Sequence, residues 1–280
     1  MLIPRYWAKT EGAATDPSGR AYRLRLWGWS EDSRAAAFEA AKRRLADVVA
    51  HLAQGRSFDQ YFYGKQPLRE EILQALGEAS GRSEAIITRN RYGALVLNTA
   101  QVPFVDIDVP DAGTVEKWFS FLSGRRKRGE DLVLERIRGA CGRHRRDAFR
   151  LYRTKAGYRI LATDVFLDPR AKNTQTFFGT FGADPAFIKL CAVQGSFRAR
   201  LTPKPWRIGQ SLPPGQYPRE EPDVRRRFEA WLEEYEARSA GFATCRFIES
   251  IGSNAVAEEA RVVVQEHDRL SRAFTDLPLA

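Results

Sequence analysis

The sequence predicts an α+β protein, in which helices pack on a mostly antiparallel sheet. Two observations carry this. Between residues 94 and 201 the hydrophobic patterning reads β-β-α-α-β-β-α-β, with strand pairs separated by helices. The chain is also 43% hydrophobic and 11% aromatic, with 17 Phe and 6 Trp against one Met, enough to bury a rigid core. The expectation is a single domain over 1–280. Its core spans about 85–205, with a strand-helix-helix extension over about 1–84 and a C-terminal wrap over about 206–280.

The elements follow from the chain in order. Residues 21–29 alternate, with Tyr22, Leu24 and Leu26 on one face and Arg23 and Arg25 on the other, as in a strand with one wet face. Ser30 then offers an N-cap and Gly55 a stop for an Ala-rich helix over 31–54. Pro67 in first position opens a second helix reaching Leu76. Strands at 85–88 and 94–97 flank a turn at 89–93. A short apolar strand over 103–110 stops at Pro110, and helices are expected at 113–123 and 130–145. A second hairpin, 148–154 with 157–167, turns at Lys155-Ala156-Gly157. Asp184-Pro185 begins a helix, 197–201 alternates as a strand, and the five prolines of 203–218 make an extended loop. A helix at 222–239, a strand near 244–250 and a helix at about 255–272 complete the chain.

The N-terminus lacks the apolar stretch of a signal peptide, and no apolar run approaches roughly 18 residues, so no membrane span is expected and the cytoplasm is the default compartment. Cys141, Cys191 and Cys245 are an odd, sparse set, unlike a disulfide framework or a zinc site. Lys and Arg number 45 against 35 Asp and Glu, a net charge of +10, which points to anionic partners such as nucleic acid or nucleotides. Charge alone names no partner, and general solubility accounts for it equally.

Asp106 and Asp108 are the strongest functional lead. Two apart on a strand, they share a face. Phe104, Val105, Ile107 and Val109 make that strand apolar enough to be central, where two carboxylates repel and are costly to desolvate. A bound Mg²⁺ or Mn²⁺ removes both costs and leaves coordination positions for phosphate. The plainer alternative is an exposed strand end with both side chains in water.

Basic residues gather around this strand. Residues 125–170 hold 14 Lys or Arg and 6 Asp or Glu, although Arg125–Arg128 fits a solvated face as well. In the hairpin, Gly157 permits a tight turn or a close backbone approach to a ligand, with Thr154, Lys155 and Arg159 beside it as phosphate donors. A purely structural turn explains the same residues. Arg198 and Arg200 share one strand face, followed by Lys204 and Arg207, a ladder suited to phosphate or to a partner's carboxylates. Trp206 and Tyr158 are candidates for stacking on bases. His51, His144 and His267 are isolated; His51 reads as packing or surface, His267-Asp268 on the C-terminal helix is a lesser catalytic candidate, and no Cys-His or Ser-His-Asp arrangement stands out.

Carboxylate strand, glycine-turned basic hairpin, acidic residue and Arg strand, in that order over about 94–205, resemble the archaeo-eukaryotic primase and primase–polymerase superfamily. The resemblance implies an RRM- or palm-like core, Asp106 and Asp108 as metal ligands, and Asp184 as a third catalytic acid, although Asp184 is equally an N-cap. Thr154 to Arg159 match the second motif in position, with Arg159 where the family carries histidine. The sequence also resembles an uncharacterised group of bacterial proteins, which brings no activity with it. Three readings stand: a metal-dependent nucleotidyl- or phosphoryl-transfer enzyme, a non-catalytic nucleic-acid-binding protein on the same sheet, or a protein-interaction module.

Overall fold

A computed structural model describes residues 1–56, 67–79, 82–109, 129–144, 147–183 and 185–280. It is an α+β protein whose described strand pairs are antiparallel. The chain divides into two compact units, Leu2–Ile72 and Leu73–Ala280, the latter grouped with Met1.

In the first unit, β1 (Tyr6–Thr15) pairs with β2 (Ala21–Ser30), and α1 (Arg34–Ala53) packs on the ribbon. The helix buries Ala37, Ala41, Val48 and Leu52 on one face. Contact is so close that a Cβ on Gly28 would lie 2.1 Å from the Ala41 amide nitrogen. The N-cap is Ser33, whose hydroxyl accepts from the Ala36 amide, and not Ser30, which ends β2. Strand β1 was not expected; Ala8, Gly12, Ala13 and Ala14 leave it little apolar alternation to read.

The second unit holds two four-stranded sheets. One runs β3 (Glu71–Ala79), β4 (Arg82–Arg89), β5 (Leu95–Thr99), β9 (Phe197–Arg200). The other runs β10 (Cys245–Ile251), β7 (Phe149–Thr154), β8 (Gly157–Ala162), β6 (Phe104–Asp108). Two expectations are corrected. The helix expected from Pro67 to Leu76 is instead an extended lead-in and β3, because pairing with β4 overrides the local helix signal. Strand β6, expected to be central, lies at the edge of its sheet; its apolar residues face packed elements rather than a second neighbouring strand.

The helices are α2 (Gly129–Arg143), α3 (Lys172–Phe181), α4 (Pro185–Gln194), α5 (Pro222–Ser239) and α6 (Glu258–Ser271). The helix expected at 113–123, the run Arg125–Arg128 and Asp184 lie outside the described residues. Of the α3 rings, Phe181 meets Phe149 and Phe178 meets Phe197 edge-on, while Phe177 stacks on Phe149 and stands edge-on to Phe181. Along α6, Ala260, Val263, Val264, His267 and Ser271 form the buried stripe, which draws a histidine into the core. Among the described residues, no helix is long and apolar enough to cross a membrane.

Candidate functional site: a cationic cluster at the edge strand

The antiparallel register sets Asp106 of β6 opposite Arg159 of β8, and Arg159 opposite Tyr152 of β7. Directly paired residues share a sheet face, so the three form one polar row. Helix α6 brings His267 and Asp268 to that row.

Arg159 is the hub. Its Nε donates to Asp106 Oδ1 at 2.7 Å and its Nη2 to Asp106 Oδ2 at 2.9 Å, a bidentate pair. Its Nη1 donates to the Arg200 carbonyl at 2.9 Å and lies 3.4 Å from His267 Nε2. The Arg159 side chain is 4% exposed, while that of Asp106 is 40% exposed, so the pair runs from the interior to the surface. Burial pushes the Asp106 carboxyl up, but Arg159, with Arg200 and His267 beyond it, outweighs this and holds it below its ordinary 3.8. Burial likewise opposes the charge on Arg159, and Asp106 more than restores it.

The cations expected from the Arg ladder gather beside this pair. Arg200 is pushed down to about 10 by burial and by the charges of Arg159 and Arg207, which leaves it charged at neutral pH. Its Nη1 donates to the Thr202 carbonyl at 2.9 Å. Lys204 is lowered by burial and by Arg200 and Arg207, with Asp108 and Tyr92 acting in the opposite sense. Pro205 opens a single 3-10 turn that carries Trp206 and Arg207. This turn is braced from α5: the Tyr235 hydroxyl donates to the Pro203 carbonyl at 2.6 Å and lies 2.8 Å from Thr202 Oγ1. Trp206 is 51% exposed, stands edge-on to Tyr92 at 5.2 Å, and has the Lys204 ammonium 5.4 Å from its ring.

The other expected residues divide. Arg198 is buried on the same strand face as Arg200, and its charge, like that of Asp106, acts on Cys191. Asp108 is exposed, opposite Gly157. Gly157 serves the fold: a Cβ there would lie 2.0 Å from the Ile107 carbonyl oxygen, so the close approach is to strand β6 and not to a ligand. Thr154 accepts from the Gly157 amide at 3.1 Å and closes the turn. Lys155 is exposed at the hairpin tip.

The pattern reading missed Tyr92, Cys245 and the hub role of Asp268. Asp268 accepts from Tyr152 Oη and Arg150 Nη2, both at 2.7 Å. The α6 stripe that buries His267 is the signal that could have found this network.

Among the described residues, no group of three or more His, Cys, Asp or Glu side chains is placed to hold a metal ion. The donor chemistry agrees: Asp106 already has a guanidinium across both oxygens, where a divalent cation would bind. No protein family, curated protein or solved structure matches the chain.

Proposed function

We propose that the protein binds a phosphate-bearing ligand of the nucleotide class, single-stranded nucleic acid above all, at a cationic cluster where Arg159 takes the place of a metal. The observation that carries this is a charge excess held next to aromatic surface. Arg159, Arg200, Lys204 and Arg207 cluster where Asp106 is fully engaged by Arg159, with Asp108 as a further anion acting on Lys204. A cationic excess of this kind, partly withdrawn from water, favours an anion that completes it. Tyr92 and Trp206 at its rim add flat faces on which bases can stack.

This is the non-catalytic reading of the sequence. Nucleotidyl transfer would require Asp106 to exchange Arg159 for a metal. A cytoplasmic setting suits the three free thiols.

The test is fluorescence-anisotropy titration of a labelled single-stranded oligonucleotide over a salt series in EDTA. Three phosphate contacts, from Arg200, Lys204 and Arg207, predict a log–log salt slope of about −2, and Lys204→Ala reduces it by about 0.7. No binding at low salt, or a slope that Lys204→Ala leaves unchanged, refutes the proposal.

A further inference from the structure

All three cysteines are free and buried, yet they sit in different chemical surroundings. Cys245, the first residue of β10, has its Sγ 3.8 Å from His267 Nε2. His267 Nδ1 lies 3.1 Å from Asp268 Oδ1, and Asp268 is itself fixed by Tyr152 and Arg150. An ionised carboxylate only accepts, so the proton between them belongs to Nδ1. Nε2 is then left as an acceptor with two donors before it, the Cys245 thiol at 3.8 Å and Arg159 Nη1 at 3.4 Å. Thiol, base and base-orienting carboxylate stand in the order that nucleophilic catalysis uses. Arg159 adds electrostatic support for a sulfur anion.

The other two thiols provide an internal comparison. Burial pushes Cys141 up to about 12, and Glu249 adds to it. Burial pushes Cys191 up to about 12 despite the help of Arg198. At Cys245 burial acts in the same direction, but His267, 3.8 Å away, and Arg159 overcome it and bring the thiol below its ordinary 9.0.

We propose that Cys245 is a nucleophilic thiol, activated by the His267–Asp268 pair and Arg159, whose substrate is a small hydroperoxide. Cys245 is fully buried, which favours the smallest oxidants. In the step, His267 Nε2 accepts the thiol proton and the sulfur attacks one peroxide oxygen. The S–O bond forms as the O–O bond breaks, and the departing hydroxide takes the proton from His267 and leaves as water. Sulfur is oxidised by two electrons to sulfenic acid, and the peroxide is reduced.

The test treats the full chain briefly with hydrogen peroxide at neutral pH, traps sulfenic acid with dimedone, and locates the adduct by peptide mass spectrometry. Cys245 should label at least tenfold faster than Cys141 and Cys191. His267→Gln should bring Cys245 down to their rate without changing theirs, and Asp268→Asn should give an intermediate rate. The proposal is overturned if Cys245 labels no faster than Cys191 in the unaltered chain, or if it keeps its lead in His267→Gln. The wild-type ranking decides even where a variant folds poorly, because all three thiols are compared within one molecule.

Discussion

Replacing Asp106 by alanine leaves the Arg159 guanidinium buried, with Nε and Nη2 deprived of their acceptors at 2.7 and 2.9 Å and only Nη1 still bonded to the Arg200 carbonyl. Removing one partner of a buried ion pair costs about 3–5 kcal/mol. The 40% exposure of the Asp106 side chain lets water enter where the carboxylate stood, which puts the loss near the lower end, about 3 kcal/mol. Asp106→Asn keeps one oxygen acceptor and should lose about 1–2 kcal/mol. Asp108→Ala, on an exposed side chain, should stay within about 0.5 kcal/mol of wild type. Urea unfolding at pH 7 in EDTA compares the three. If Asp106 and Asp108 were instead a pair of empty metal ligands, removing either would relieve repulsion, and both alanine variants would be neutral or stabilised. An Asp106→Ala protein as stable as Asp108→Ala refutes the ion-pair reasoning.

Three further outcomes follow from the same geometry. Gly157→Ala should destabilise by about 3 kcal/mol, at the top of the range for overpacking, because its Cβ would meet the backbone of Ile107 and Asp108; unchanged urea stability with weakened ligand affinity would instead assign Gly157 to a ligand. Trp206→Ala should weaken oligonucleotide binding by about 1–3 kcal/mol, roughly five- to 150-fold, with little change in stability, as read by anisotropy and urea titration together. Because the folded state holds the Asp106 carboxyl below its ordinary 3.8, its contribution is fully present above that value and is lost as pH falls through the lowered one. The stability gap between wild type and Asp106→Asn should therefore be constant from pH 7 to about 4 and shrink below it, as measured by urea midpoints across that range.

Much of this was legible in the sequence. The hairpin turning at Lys155, the strand at Asp106 and the arginine spacing of β9 are local patterns of period two, and pattern reading captures those. It also put Asp106 and Asp108 on one face of β6, as the register confirms. What it could not show is which residue lies across the ladder. The antiparallel register brings Arg159 opposite Asp106, and that single non-local pairing makes Asp106 half of an ion pair. Strand β3 was misread for the same reason, since its partner β4 decides its conformation and Pro67 merely precedes it. The Cys245–His267 contact joins residues 22 apart on a strand and a helix, and only the packing of α6 against the sheet places them together.

The most direct measurement is the affinity of wild-type protein for one single-stranded oligonucleotide at fixed low salt, first in EDTA and then with Mn²⁺. If Arg159 takes the cation's place, the oligonucleotide binds in EDTA and Mn²⁺ leaves its affinity unchanged or slightly weaker through competition for phosphate. Binding that appears only when Mn²⁺ is added would show that Asp106 exchanges Arg159 for a metal, and would contradict a metal-independent phosphate site.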